Sequence, residues 1–390
     1  MNPVLNPYSP GAGSTPPELT GRDELLEKAS IALQRIAAGK SAKSLILTGL
    51  RGVGKTVLLN RIRRDAETLN FLTVRMEAPE ERSLPGLLVP GLQSALIKLN
   101  RGKAVTALAK RALSTLATFV SAMKLKYNDV EMSLDIEPDQ FTTSDLNENL
   151  IQLLQAVGMA AKEKNTAVIL FIDELQILNE KELGSLIMAL HIAAQDLLPI
   201  TLVAAGLPQT AAKMGKAKTY AERLFEFIEI GKLNEKAAIQ ALTIPAKKLK
   251  VHFTKQALKE ILEQTKGYAY FLQEWGQNAW NIASGTSINE SNAKEATLLA
   301  LAALDASFFR VRFAQLTAMQ KQYLRAMAEL GSEPVVSGKV AEVMGKNVTK
   351  LGGIREQLIT KGLIYSPAHG EIAFTVPLFG DFMKRVMRDF

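Results

Sequence analysis

The sequence of 390 residues holds no cysteine, which removes disulfides, thiolate metal sites and cysteine nucleophiles. Three histidines, His191, His252 and His369, are the whole supply of imidazole, so a zinc or haem reading has almost no raw material. No apolar run reaches the roughly 18 residues that span a bilayer. The start, Met1-Asn2-Pro3-Val4-Leu5-Asn6-Pro7, has neither the charged beginning nor the apolar core of a secretion signal. A cytoplasmic protein with no membrane span is expected. Acid is missing from one long stretch: residues 82–128 hold Arg82, Lys98, Arg101, Lys103, Lys110, Arg111, Lys124 and Lys126 and no Asp or Glu, a local excess equal to the formal net charge of +8. Such a field suits phosphate backbone, an acidic protein or anionic lipid; a solvated helix face is the plain alternative.

What is present is ordinary for a globular chain, 47% hydrophobic and 22% charged, and long enough for two or three packed modules. Residues 1–20 are rich in Pro, Gly, Ser and Thr and read as an extended arm. A helix is predicted over Arg22–Ala38, a buried strand over Ser44–Thr48, a helix over Lys55–Leu69 and a strand over Phe71–Arg75. Strand, helix, strand at this spacing is the unit of a parallel sheet. The pattern continues with helix Leu146–Lys162, central strand Thr166–Ile172, helix Glu180–Gln195, strand Ile200–Ala205 and a last strand Phe225–Ile230. Residues 80–140 interrupt it as an insertion of basic helices. They end in a β-hairpin about Asn128-Asp129, where apolar and charged residues alternate on both sides. After Gly231 helices dominate. Four units follow: the arm, a core at 21–231, a helical lid at 232–306 and a C-terminal module at 307–390.

Gly49-Leu50-Arg51-Gly52-Val53-Gly54-Lys55-Thr56 matches the P-loop (Walker A) pattern G-x-x-x-x-G-K-[ST] at every fixed position, between a predicted strand and a predicted helix as the motif requires. Backbone N–H groups around Gly49, Gly52, Val53, Gly54 and on to Val57 are expected to turn toward phosphates. Lys55 should reach the terminal phosphates, and the Thr56 hydroxyl should help hold Mg²⁺. Asp173 follows the strand ending at Ile172, with Glu174 next. This is the Walker B arrangement: Asp173 orients Mg²⁺ and Glu174 polarises the attacking water. Capping of a helix is the alternative use of such a pair. The P-loop and the acid pair are expected on neighbouring strands although 118 residues separate Lys55 from Asp173, a gap that the insertion explains.

These motifs, with the Gly21-Arg22 box ahead of the first helix and a helical lid after the last strand, resemble the AAA+ class. More narrowly, they resemble its bacterial branch related to origin-recognition ATPases and STAND signalling ATPases. The resemblance implies ATP and Mg²⁺ as ligands, with Pro10, Leu19 and Arg22 near the adenine. It also implies that Arg223, just before the last core strand, acts across a subunit interface of a homo-oligomer as an arginine finger. An ordinary surface pairing with Glu222 or Glu226 is the other reading. Two features depart from the class. The strand ending Ala204-Ala205-Gly206 carries no polar first sensor, and the lid helix begins Gly267-Tyr268-Ala269-Tyr270, without the arginine of an origin-recognition lid or the Gly-x-Pro of a STAND lid. Slow hydrolysis or a nucleotide-held switch follows.

In the last 80 residues, helices at Leu316–Leu330, Ser337–Met344 and Asn347–Lys361 precede a hairpin with the turn Ser366-Pro367-Ala368-His369-Gly370. This is the order of a winged helix, and it again resembles the origin-recognition C-terminal domain. Lys346, Asn347, Thr349, Lys350 and Arg355 would face duplex DNA, with His369 at the wing tip; in STAND proteins the same fold packs on the nucleotide domain instead. Three functions fit. The first is an ATPase whose ATP or ADP state controls oligomerisation and engagement of DNA or a protein partner. The second is a STAND-like switch binding protein partners, and the third an ATPase loader of a mobile element or defence system. Trp275 and Trp280, with Tyr268 and Phe271, are expected to form the lid core, and His191 and His252 to be structural.

Overall fold

A computed structural model describes residues 1–11, 13–77, 83–100, 106–123 and 145–388. The chain forms two compact units, one of residues 22–48 and 55–229 and the other of residues 1–21, 49–54 and 230–390. The first is α/β, as expected. Its sheet comprises β1 (Ser44–Thr48), β2 (Leu72–Glu77), β3 (Val168–Asp173), β4 (Ile200–Gly206) and β5 (Phe225–Glu229), in the order β2-β3-β4-β1-β5. Every pairing is parallel, so all five strands end at one edge. β1, β3 and β4 are buried along their whole length. That is why they appear in the sequence as continuous apolar runs rather than alternating ones.

Around this sheet lie α1 (Asp23–Ala37), α2 (Lys55–Thr68), α3 (Leu84–Asn100), α4 (Ala107–Ala122), α5 (Leu146–Glu163), α6 (Glu180–Gln195), α7 (Thr210–Ala217) and the short α8 (Ala221–Leu224). α6 starts at a capping box in which Asn179 and Glu182 satisfy each other's backbone N–H groups. Within the stretch expected as an insertion, α3 and α4 contribute to the main core: Leu88, Leu92, Leu96 and Leu113 share one cluster with Val74 and Leu170. Gly91 lets α3 come down on β2, since a Cβ there would lie 2.4 Å from Val74 Cγ1. Lys98, Lys110 and Arg111 are exposed on these two helices. The predicted hairpin about Asn128-Asp129 lies outside the described residues.

The second unit is mainly helical. α9 (Glu235–Lys248), α10 (Lys255–Thr265), α11 (Ala269–Ile282) and α12 (Glu290–Leu304) pack together, with β6 (His252–Phe253) and β7 (Ser287–Ile288) paired in parallel. Trp275, Trp280 and Phe271 are buried in this core, and Trp275 Nε1 donates to Thr297 Oγ1 at 2.9 Å. The N-terminal residues also belong to it. Tyr8 is 2% exposed and its hydroxyl donates to the Leu242 carbonyl at 2.5 Å, while Trp280 Nε1 donates to the Asn2 carbonyl at 3.0 Å. A π-helical turn (Asp305–Phe309) and α13 (Arg310–Ala314) lead to α14 (Ala318–Glu329), α15 (Ser337–Val343) and α16 (Val348–Thr360). β8 (Val335–Val336), β9 (Ile364–Tyr365) and β10 (Glu371–Phe374) form an antiparallel sheet in the order β8-β10-β9. A last helix, α17 (Phe379–Val386), was not expected from the sequence; it buries Phe379, Phe382 and Met383 and packs on α14. Among the described residues no helix is long and apolar enough to cross a membrane.

Candidate functional site

Within the first unit, the polar groups singled out in the sequence collect at the edge where the parallel strands end. Lys55 opens α2 and is 7% exposed, which sets a buried ammonium at the positive end of a helix. Thr56 and Val57, half-buried, follow in the first turn. Asp173 is the last residue of β3, 8% exposed, and its Oδ1 accepts from the Glu174 N–H at 2.9 Å. Glu174 stands in the left-handed region, φ 52° and ψ 42°, a conformation that costs a non-glycine residue about 1 kcal/mol or more. The chain thereby turns sharply off β3 into a 3₁₀ turn, Leu175–Ile177. One expectation needs correction. β1 and β3 are not neighbours, because β4 lies between them. With strands about 4.8 Å apart, the ends of β1 and β3 are separated by roughly 10 Å.

The 3₁₀ turn brings in groups that the sequence reading missed. Gln176 Nε2 donates to the Glu174 carboxylate, and Gln176 Oε1 accepts from the Leu207 N–H at 3.0 Å, just past the end of β4. Lys213 Nζ, on α7, donates to the Gln176 carbonyl at 2.6 Å. Burial lowers the Lys213 pKa, and the Glu180 and Glu182 carboxylates oppose that shift. Thr210 Oγ1 is buried at the start of α7 with no hydrogen-bond partner among the described residues. The signal for this network was the Asp-Glu-x-Gln spacing, which places Gln176 one tight turn beyond the acid pair.

In the second unit, the turn Gly49–Gly54 has the backbone of a phosphate cradle. Gly52 and Gly54 sit at φ 82° and 96°, where a side chain would be strained. At Gly49 a Cβ would come 2.2 Å from the Ile230 carbonyl oxygen. Val53 is buried beneath the turn, 2% exposed. Two backbone groups of the turn are engaged by the C-terminal residues: the Gly52 carbonyl accepts from Tyr270 N–H at 3.0 Å, and the Arg51 N–H donates to the Thr375 carbonyl at 3.1 Å.

Arg223 is exposed in α8, directly ahead of β5, at the edge where strands begin rather than end. Glu226 forms its ion pair with Lys28, not with Arg223. Arg22 holds the position before α1 and burial lowers its pKa. Pro10 and Leu19 are half-buried in the second unit, where Thr20 Oγ1 also donates to the Ala237 carbonyl at 2.8 Å. Lys346, Asn347, Thr349 and Lys350 are exposed at the start of α16, and His369 is exposed in the turn between β9 and β10. Arg355, expected to face outward with them, turns inward: it donates to Ser337 Oγ at 3.3 Å, and its Nε is buried.

Residues 18–203 match the model of a family described as AAA ATPase domain. Residues 306–383 match a second model, described as a domain of unknown function (DUF8462). No curated protein matches the sequence. Among solved structures the chain is similar to a Walker-type ATPase of Pyrococcus abyssi, with TM-score 0.58 and 15% identity over 97% of this chain and 99% of that one. It also resembles the RuvB Holliday junction branch migration motor of Thermotoga maritima, with TM-score 0.46, 17% identity and 95% of each chain covered. The ORC1 protein of Aeropyrum pernix in complex with DNA aligns with TM-score 0.47 and 14% identity over 96% of each chain. At such identities the first of these speaks to the fold alone, a P-loop NTPase fold, and the other two carry no argument.

Proposed function

We propose that the AAA ATPase domain binds ATP with Mg²⁺ through Gly49–Thr56 and hydrolyses it slowly, and that the nucleotide state controls self-assembly and engagement of DNA or a protein partner. The observation that carries this reading is the buried Lys55 at the head of α2, following a turn in which Gly52 and Gly54 hold positive φ, with Asp173 ending β3 and Glu174 next to it. The residues present fit the ligand. A Cβ at Gly49 would strike the Ile230 carbonyl and side chains at Gly52 and Gly54 would be strained, which keeps the backbone of a phosphate cradle, and Lys55 brings a positive charge to the head of α2. Thr56 Oγ1 and Asp173 are the residues that would hold Mg²⁺, an ion that neutralises charge on the phosphate oxygens when bound. Glu174 then orients the attacking water and takes its proton. Pro10 and Arg22 serve the adenine side.

Slow turnover follows from the end of β4, where Ala204-Ala205-Gly206 offers no side chain to sense the γ-phosphate. Arg223 stands at the opposite edge of its own sheet, so it can serve as an arginine finger only toward another copy of the chain. With Glu174→Gln, nucleotide binding should persist while turnover falls by about 10²-fold or more. Native-rate hydrolysis by that variant, measured by phosphate release, would show the base to be misassigned.

For the partner, the exposed Lys346, Asn347, Thr349 and Lys350 and the exposed basic residues of α3 and α4 support duplex DNA, with residues 307–390 acting as a winged helix. The narrower placement in the bacterial origin-recognition branch belongs to this reading. A specific observation favours the second one, a STAND-like switch with its C-terminal module folded inward: the Arg51–Thr375 hydrogen bond occupies the P-loop turn. A salt titration separates the two. Neutralising several phosphates makes log Kd rise steeply with log salt. No duplex binding at about 50 mM salt, with and without ATP, leaves the switch.

A further inference from the structure

The turn after β3 and the turn after β4 are joined by one side chain. Gln176 gives its amide N–H to the Glu174 carboxylate and takes the Leu207 N–H on its amide oxygen at 3.0 Å. Its own backbone is pinned, because Lys213 Nζ donates to the Gln176 carbonyl at 2.6 Å. The intervening space is closed to any other side chain from β4: a Cβ on Gly206 would lie 2.3 Å from Thr210 Oγ1 and 3.0 Å from Gln176 Oε1. The strand tip that lacks a polar side chain is therefore the place where the Gln176 amide docks.

We propose that Gln176 is the positioning residue of the water-activating carboxylate. Glu174 starts from a left-handed backbone, φ 52°, that does not by itself aim the side chain. A glutamate carboxylate is set by three side-chain torsions, and only some of its rotamers can meet a water in line with the terminal phosphate. The Gln176 donor fixes one Glu174 oxygen in direction. Because Gln176 is also held by the Leu207 backbone, the carboxylate is referenced to β4 and not merely to its own loop. The assignment rests on the reading of Glu174 as the base. It explains how a β4 tip made of Ala204-Ala205-Gly206 can still take part in catalysis: the backbone just past it acts through Gln176, and a residue larger than glycine at 206 would collide with Thr210 Oγ1 and press on the Gln176 amide oxygen.

The test is a double-mutant cycle on the full chain, with steady-state ATP hydrolysis and calorimetric binding of ATP with Mg²⁺ as readouts. Gln176→Met keeps the length of the side chain and removes both hydrogen bonds. Gln176→Glu keeps the acceptor for the Leu207 N–H and removes the donor to Glu174, so it stands in if the methionine variant folds poorly. Each is expected to lower kcat by about 10- to 100-fold while the Kd for ATP stays within about twofold. In a Glu174→Gln background the same changes should alter residual turnover by less than about twofold, since there is no base left to position. An equal loss in both backgrounds, or a native kcat for both Gln176 variants, overturns the proposal. The underlying reading fails separately: if Glu174→Gln alone turns over at the native rate, the base is elsewhere whatever Gln176 does.

Discussion

Tyr8 and Gly276 show how a single pair of residues can decide where a segment goes. The arm around Tyr8 has the composition of a loose tail, yet the tyrosine is 2% exposed, and burial pushes its phenol pKa well above the usual range. The ring lies against the bare Cα of Gly276, where a Cβ would come 2.8 Å from a ring carbon. Gly276→Ala should therefore destabilise the protein by about 1–3 kcal/mol, as inserted methyl groups do in packed cores. Chemical denaturation followed by tryptophan fluorescence reads this, because Trp275 and Trp280 lie in the same core. A midpoint equal to that of the native protein would mean that the arm is not seated on α11. No local pattern could reveal the pair, since 268 residues separate the two. At the P-loop the opposite holds: Gly49, Gly52, Gly54 and Lys55 were legible because eight consecutive residues carry the whole geometry.

Among the elements, β1, β3 and β4 were readable from apolar runs, and α2, α5 and α6 lie within a residue of the helices expected there. Strand order was not readable in the same way. The acid pair and the P-loop were expected side by side, and β4 separates them, because order in a parallel sheet is set by crossovers that leave no local mark. The short pieces were missed for a related reason. β6, β7 and β8 hold two residues each, too few for a period to show. α17 carries its apolar residues at Phe379, Phe382 and Met383, only one turn of pattern. Arg355 falls on α16 where helical spacing alone suggested an outward face; its inward turn depends on Ser337 of α15, a contact between elements. Gln176 was passed over likewise, since its meaning lies in the Leu207 N–H of another loop.

At the scale of the whole molecule, the family match at 18–203 covers β1, β2, β3 and most of β4 but not β5, and the match at 306–383 covers most of the C-terminal module. Every further step in the proposed function presumes that ATP is the signal. The direct measurement is calorimetry of ATP with Mg²⁺ into the full chain and into Lys55→Ala. Saturable binding with one site per chain, lost in Lys55→Ala while its melting temperature without nucleotide stays near that of the native protein, is the predicted result. A native chain that ignores ATP, or a Lys55→Ala protein that binds it as tightly, would contradict the account.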